Sequence, residues 1–191
     1  ENFYKPERKH CGYELMEKYS DIVKDAMKNA SELLDAGYAK GGKFPVVIDP
    51  VLIGTFAHEA VGHSCEADLV LNDSSILGNK IGVKIGSDIV NLYDDGTLDE
   101  WGYIPFDSEG TLSHNTPLIK EGILVGFMHN RETASAFKTE PTGNGRAMTL
   151  SNKPIVRMTN TVIHAGDSSF EEMISSIKHG YYLRGGAGGT V

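Results

Sequence analysis

Residues 56–68 read FAHEAVGHSCEAD, and the way this stretch coils decides what the chain can do. It holds His58 and His63, with Glu59 directly after the first histidine. The apolar lead-in Val51–Ala57 suits a helix that carries these side chains inward. Phe44–Ile48 reads as a buried strand before it. Asp49 is placed to cap the helix and Pro50 to occupy its first position. Two imidazoles and a carboxylate are the side chains a metal-activated water needs: neutral ring nitrogens hold the ion, and the carboxylate takes the proton.

The spacing is H-E-x-x-x-H, one residue longer than H-E-x-x-H. On a regular helix, histidines four apart lie roughly 40° apart, whereas five apart they diverge by roughly 140°. Both rings reach one ion only if a turn is widened, as in a π-bulge, which inserts one residue and is frequent at functional sites. Gly62, just before His63, is the expected place for it. Two outcomes stay open at this point: a metal site on a distorted helix, or no metal site. Cys65 sits two residues beyond His63, so on a helix its thiol should point elsewhere.

Working outward, Tyr4–His10 is charged and expected to be loose. From Tyr13 to Leu34 apolar residues recur at helical spacing, with Gly37 as a stop. Met16 and Met27 fall on that stripe and read as core. Lys40–Lys43 is a turn without the pattern of a phosphate loop. Leu69–Gly82 reads as a long loop, expected to order around substrate or further chain, and Glu140–Lys153 as another mobile loop. Val83–Ile85 and Ile89–Tyr93 are candidate short strands. Asp94, Asp95, Asp99 and Glu100 lack calcium-loop order and read as a solvated turn. Trp101–Phe106 reads as aromatic core.

Thr116–Lys120 and Ile123–His129 flank Glu121-Gly122 as a hairpin. Asn130 can cap a helix over Arg131–Phe137. His114 and His129 lie on a turn and a strand end, as secondary candidates for metal or substrate. Ile155–Ile163 is strand-like, Asp167 or Ser168 can cap a helix over Phe170–Lys178, and Tyr181–Leu183 opens a further strand. Strands and helices do not alternate regularly. That predicts an α+β fold, mainly antiparallel, with the histidine helix and flanking helices beside the sheet.

The motif and its surroundings resemble the TldD/PmbA family of metallopeptidases, also described as modulators of DNA gyrase. Besides HEAVGH with Glu66 and Asp68, Phe106–Thr111 is similar to the family's D-D-E-G-T segment, with Ser108 in place of the second Asp. Leu118–Leu124 resembles its L-I-E-x-G-x-L hairpin, Arg157–Thr161 its R-M-T-N-T stretch, and Tyr181–Gly189 the glycine-rich segment that follows. The resemblance implies a zinc-dependent peptidase for short or unfolded peptides, added as an extra strand beside the site. His58 and His63 would hold zinc, and Glu59 would be the catalytic base. A third ligand, a cysteine, would lie beyond Val191, since Cys11 and Cys65 do not match it. Arg157, Thr159 and Asn160 would line the cleft. A homodimer, or a heterodimer with a related subunit, is implied.

On this reading residues 1–42 are a helical lead-in and linker. Residues 43–191 are the core of the catalytic domain, cut at its C-terminal end. The competing reading is a non-catalytic scaffold or partner-binding fragment without metal.

Composition narrows the class further. The formal charge is −8 with 18 basic and 26 acidic residues, and no basic stripe forms, which argues against direct nucleic-acid binding. Two distant cysteines make no disulfide framework. No apolar run is long enough to span a bilayer, and ENFYKPERKH has no signal-peptide core. The cytoplasm is the expected compartment.

Overall fold

Along Asn115–Lys120 the buried positions fall at 116, 118 and 119, so the strand turns mainly one face to a core. The computed structural model describes residues 11–185; Tyr4–His10 and the end of the glycine-rich run lie outside them. In chain order the elements are α1 (Tyr19–Leu34), β1 (Val46–Ile48), α2 (Pro50–Phe56), a π turn (Ala57–Gly62), α3 (Ala67–Leu71) and β2 (Leu92–Asp95). Then follow β3 (Asn115–Lys120), β4 (Ile123–Leu124), α4 (Arg131–Phe137), β5 (Gly145–Arg146), β6 (Ile155–Val156), β7 (Thr161–Ile163), α5 (Phe170–Ser176) and β8 (Tyr181–Leu183).

The described chain divides into two units, Glu1–Pro45 and Val46–Val191. In the first, Tyr13–Lys18 winds as a 3-10 helix before α1 begins at Tyr19. No residue of α1 is buried, and Met16 and Met27 are exposed. This corrects the expected core stripe: among the described residues of this unit no second layer covers the apolar face of α1.

The second unit is α+β. Its main sheet runs β4-β3-β2-β7, antiparallel throughout. β1 and β8 form a separate parallel pair, with Val47 opposite Tyr182, and β5 pairs with β6. The expected hairpin is present. Glu121 and Gly122 both take positive φ, 50° and 75°, which is the two-residue turn whose twist matches antiparallel strands. Leu92, Leu118, Ile119 and Leu124 from the sheet pack with Ala57, Cys65, Ala67 and Val70 from the motif side, and with Met128, Val156 and Met158.

Several local expectations shift. Leu69–Leu71 belongs to α3, and the turns after it are pinned by Leu77 in the core and by the Ser75 hydroxyl donating to the Ser64 carbonyl at 2.6 Å. Lys84 makes only a single bridge, to Ile123. The cap of α5 is Ser169, with Glu172 closing a capping box, because Ser169 stands three residues before a carboxylate that reaches back. Asn130 caps α4 as expected, with Thr133 as its reciprocal partner.

Trp101, Tyr103 and Phe106 are exposed rather than core, and the loop that carries them is tied to Asn160 by amide and backbone bonds. Asp94 and Asp95, expected in a solvated turn, are buried. They lie on β2, where neighbouring donors satisfy them.

Candidate metal centre

The histidine helix is built from its first residue. Asp49 accepts the Leu52 amide at 2.8 Å through Oδ1, and Pro50 opens α2 where a missing N–H costs nothing. Its other oxygen, Oδ2, accepts the Gly185 amide at 2.8 Å, and the Asp49 amide donates to the Leu183 carbonyl at 2.9 Å. The base of the helix is therefore tied to β8.

At Ala57 the winding changes to a π turn through Gly62. The His63 amide donates to the His58 carbonyl, five residues back. That extra residue per turn brings the two rings onto one side. Their centroids are 4.8 Å apart and the ring planes nearly perpendicular, at 85°.

Gly62 is needed for contact rather than for backbone freedom. Its φ of −54° and ψ of −57° are open to any residue, but a Cβ there would stand 2.0 Å from the Met158 sulfur. Met158 is buried just before β7, and β7 lies against the π turn.

Glu59 is half-buried, its carboxylate 3.8 Å from His63 Nε2. The other nitrogen of His63, Nδ1, is 2.9 Å from the carboxylate of Glu66. Glu66 is 1% exposed, and its second oxygen is 3.4 Å from the Arg157 guanidinium. Burial pushes the Glu66 carboxyl above its ordinary range, against the hydrogen bond from His63 and the charge of Arg157. Partial burial and then the neighbouring His63 hold His58 below the usual imidazole value, which favours the neutral ring that ligates metal.

The donor set suits zinc in kind: two imidazoles on one side of a helix, one oriented by a carboxylate, with a second carboxylate beside them. It is incomplete in number. Among the described residues no group of three or more His, Cys, Asp or Glu side chains converges to hold an ion. Cys65 is fully buried in the core, where desolvation pushes its thiol up to about 12.

The remaining sequence candidates fall elsewhere or act locally. Thr159 donates through its amide and hydroxyl to Asp94, at 3.0 and 2.6 Å. Asn160 spans a loop, its amide group donating to the carbonyls of Asp95 and Leu98 while its oxygen accepts the Gly102 amide. Arg157 is half-buried on Glu66 and the Val156 carbonyl. His114 is exposed on its turn. His129 is buried beside Thr133 and Phe137, on a cavity of about 510 Å³ whose lining includes neither motif histidine. Two contributors were given no role by the sequence: Glu66, which appears there only as part of the family-like motif, three residues after His63, and Met158, which no spacing connects to Gly62.

The site is thus a widened helical turn carrying H-E-x-x-x-H, backed by a small antiparallel sheet. The family model described as the PmbA/TldA metallopeptidase C-terminal domain matches residues 41–191, and the chain belongs to this TldD/PmbA family. A metalloprotease of Methanocaldococcus jannaschii is 46% identical over 182 residues, covering 94% of this chain and 40% of its own. A zinc metalloprotease TldD homolog of Saccharolobus solfataricus is 35% identical over 173 residues, covering 89% and 38%. The crystal structure of TldE from Thermococcus kodakarensis superposes with a TM-score of 0.74 at 26% identity, over 90% of this chain and 39% of that one. The chain thus spans about two fifths of the length of these relatives.

Proposed function

We propose that the intact protein containing this chain is a zinc-dependent peptidase acting on short or unfolded peptides. One observation carries the reading: the π turn draws His58 and His63 to 4.8 Å with Glu59 alongside. His58 and His63 would hold zinc with a third ligand, a cysteine, supplied from beyond Val191. Zinc, when bound, supplies Lewis-acid polarisation of water and of the peptide carbonyl. Glu59 accepts the proton of the attacking water and returns it to the leaving amine, a role that requires a carboxylate within reach of both.

A peptide added as a strand would be held by main-chain hydrogen bonds with little regard to sequence. Arg157, Thr159 and Asn160 are the proposed lining. Arg157 keeps exposed guanidinium surface for a peptide carbonyl, while Thr159 and Asn160 shape the segment around it. Pairing with a second copy or with a related subunit is proposed for the whole protein, supported by the likeness to TldE. A cytoplasmic location is proposed as well; no helix among the described residues is long and apolar enough to cross a membrane.

The rival reading, a scaffold without metal, is favoured by the missing third ligand among the described residues. Metal analysis of the intact protein separates the two: about one zinc per site is expected, and none would remove the peptidase reading. Glu59→Gln should keep the zinc and abolish cleavage. Retained cleavage would remove Glu59 as the base.

A further inference from the structure

Among the described residues, Glu66 is the one carboxylate that is both nearly inaccessible, at 1% exposure, and in hydrogen-bond contact with a motif histidine. Its backbone is fixed independently of that contact. Residue 66 bridges to Met128, the Ala67 amide donates to the Met128 carbonyl at 3.1 Å, and the Met128 amide donates to the Cys65 carbonyl at 2.9 Å. The chain after the histidines is thus stitched to the segment that follows β4. The carboxylate then bridges two groups from distant parts of the sequence, His63 at 2.9 Å and Arg157 at 3.4 Å.

We infer that Glu66 is a positioning residue for the metal centre, acting through His63. A metal on Nε2 requires the ring proton on Nδ1, and the Glu66 carboxylate 2.9 Å from Nδ1 is placed to accept it. Nε2, left free for an ion, is the nitrogen that faces Glu59. Arg157 meets the far oxygen of Glu66 at 3.4 Å, which favours the carboxylate orientation that faces the ring. Glu66 is not itself a co-ligand of the same ion, because it occupies the opposite nitrogen of His63. Ligating histidines commonly hand their second N–H to a carboxylate in this way, and loss of that partner costs about 10–100-fold in metal affinity or activity. The inference rests on the zinc reading above and names the residue that orients one of its ligands.

The test uses the intact protein and measures zinc affinity by competition with a chromophoric chelator. Glu66→Gln keeps the side chain's volume and an acceptor for Nδ1–H; Glu66→Met keeps the volume and removes the acceptor. Arg157 is half-exposed and can turn to water in either variant, so both should fold, which circular dichroism checks. The glutamine variant should bind zinc within a few-fold of the parent, and the methionine variant at least about 10-fold more weakly. Equal affinities in the two variants would overturn the role of Glu66. His58→Ala and His63→Ala controls isolate the underlying reading: if they bind zinc as the parent does, the site itself is misplaced. If they lose zinc while both Glu66 variants keep it fully, only the positioning role fails. A side effect on stability alone would move the unfolding midpoint without separating Gln from Met in zinc affinity.

Discussion

Gly62→Ala is expected to destabilise the protein, although a helical backbone normally welcomes the change. At φ −54° and ψ −57° an alanine is unstrained, and replacing glycine inside a helix gains about 1 kcal/mol. Against that stands the Met158 sulfur, 2.0 Å from where the new Cβ would be. Met158 is 4% exposed and packed in the core, so its thioether has little room to swing out. Forcing a carbon into such a contact costs about 1–3 kcal/mol. The difference leaves a net loss of up to about 2 kcal/mol.

Removing the obstacle should reverse the sign. In a Met158→Ala background, itself about 2–5 kcal/mol less stable, Gly62→Ala should be neutral or gain up to about 1 kcal/mol. Urea unfolding of the four proteins, read by far-ultraviolet circular dichroism, gives the cycle. A coupling of about 1–3 kcal/mol is expected between the two positions. Stabilisation by Gly62→Ala with Met158 in place would refute the reasoning, since the glycine would then serve some purpose other than admitting the sulfur.

Three further outcomes follow from buried groups. Asp94→Ala should cost at least about 3 kcal/mol in the same unfolding assay, because it strands donors from Thr159, Thr161 and Asn144 that are now satisfied by one carboxylate. His129 has its pKa lowered to about 4 by burial, below the ordinary 6.5, so the unfolded chain binds the extra proton first. Its contribution is full above pH 6.5 and lost as pH falls toward 4. Up to about 3 kcal/mol is at stake, and parent minus His129→Gln should show that slope in unfolding free energy against pH. Alkylation with iodoacetamide at neutral pH, located by peptide mass spectrometry, should label exposed Cys11 and spare Cys65, whose thiol is held near 12 in the core; labelling of Cys65 in the folded protein would contradict that placement.

What the sequence could show was local. Asp49-Pro50 as a helix start, Glu121-Gly122 as a tight hairpin and Asn130 as a cap each depend on two to four adjacent residues, and each is found. The π turn was legible for a different reason: five-residue spacing and a glycine leave few geometries that unite the two rings. Burial was harder to read. Asp94 and Asp95 look like turn residues until Asn144, Thr159 and Asn160 arrive from 50 or more residues away. The aromatics of Trp101–Phe106 look like core until the same amides hold their loop from beneath. Glu66 as the partner of His63 is a local contact three residues apart that no cap or turn pattern marks, and Met158 as the neighbour of Gly62 is a tertiary fact with no periodic trace.

The tie between Asp49 and Gly185 sets an order of events during synthesis. The two are 136 residues apart, yet their contact secures the first turn of the seven-residue α2. A helix that short does not persist in water unaided. At about 5–20 residues per second, the ribosome needs roughly 7–27 s after Asp49 to deliver its anchor. Nascent chains therefore carry both imidazoles for that interval on a helix whose foot is not yet tied to β8.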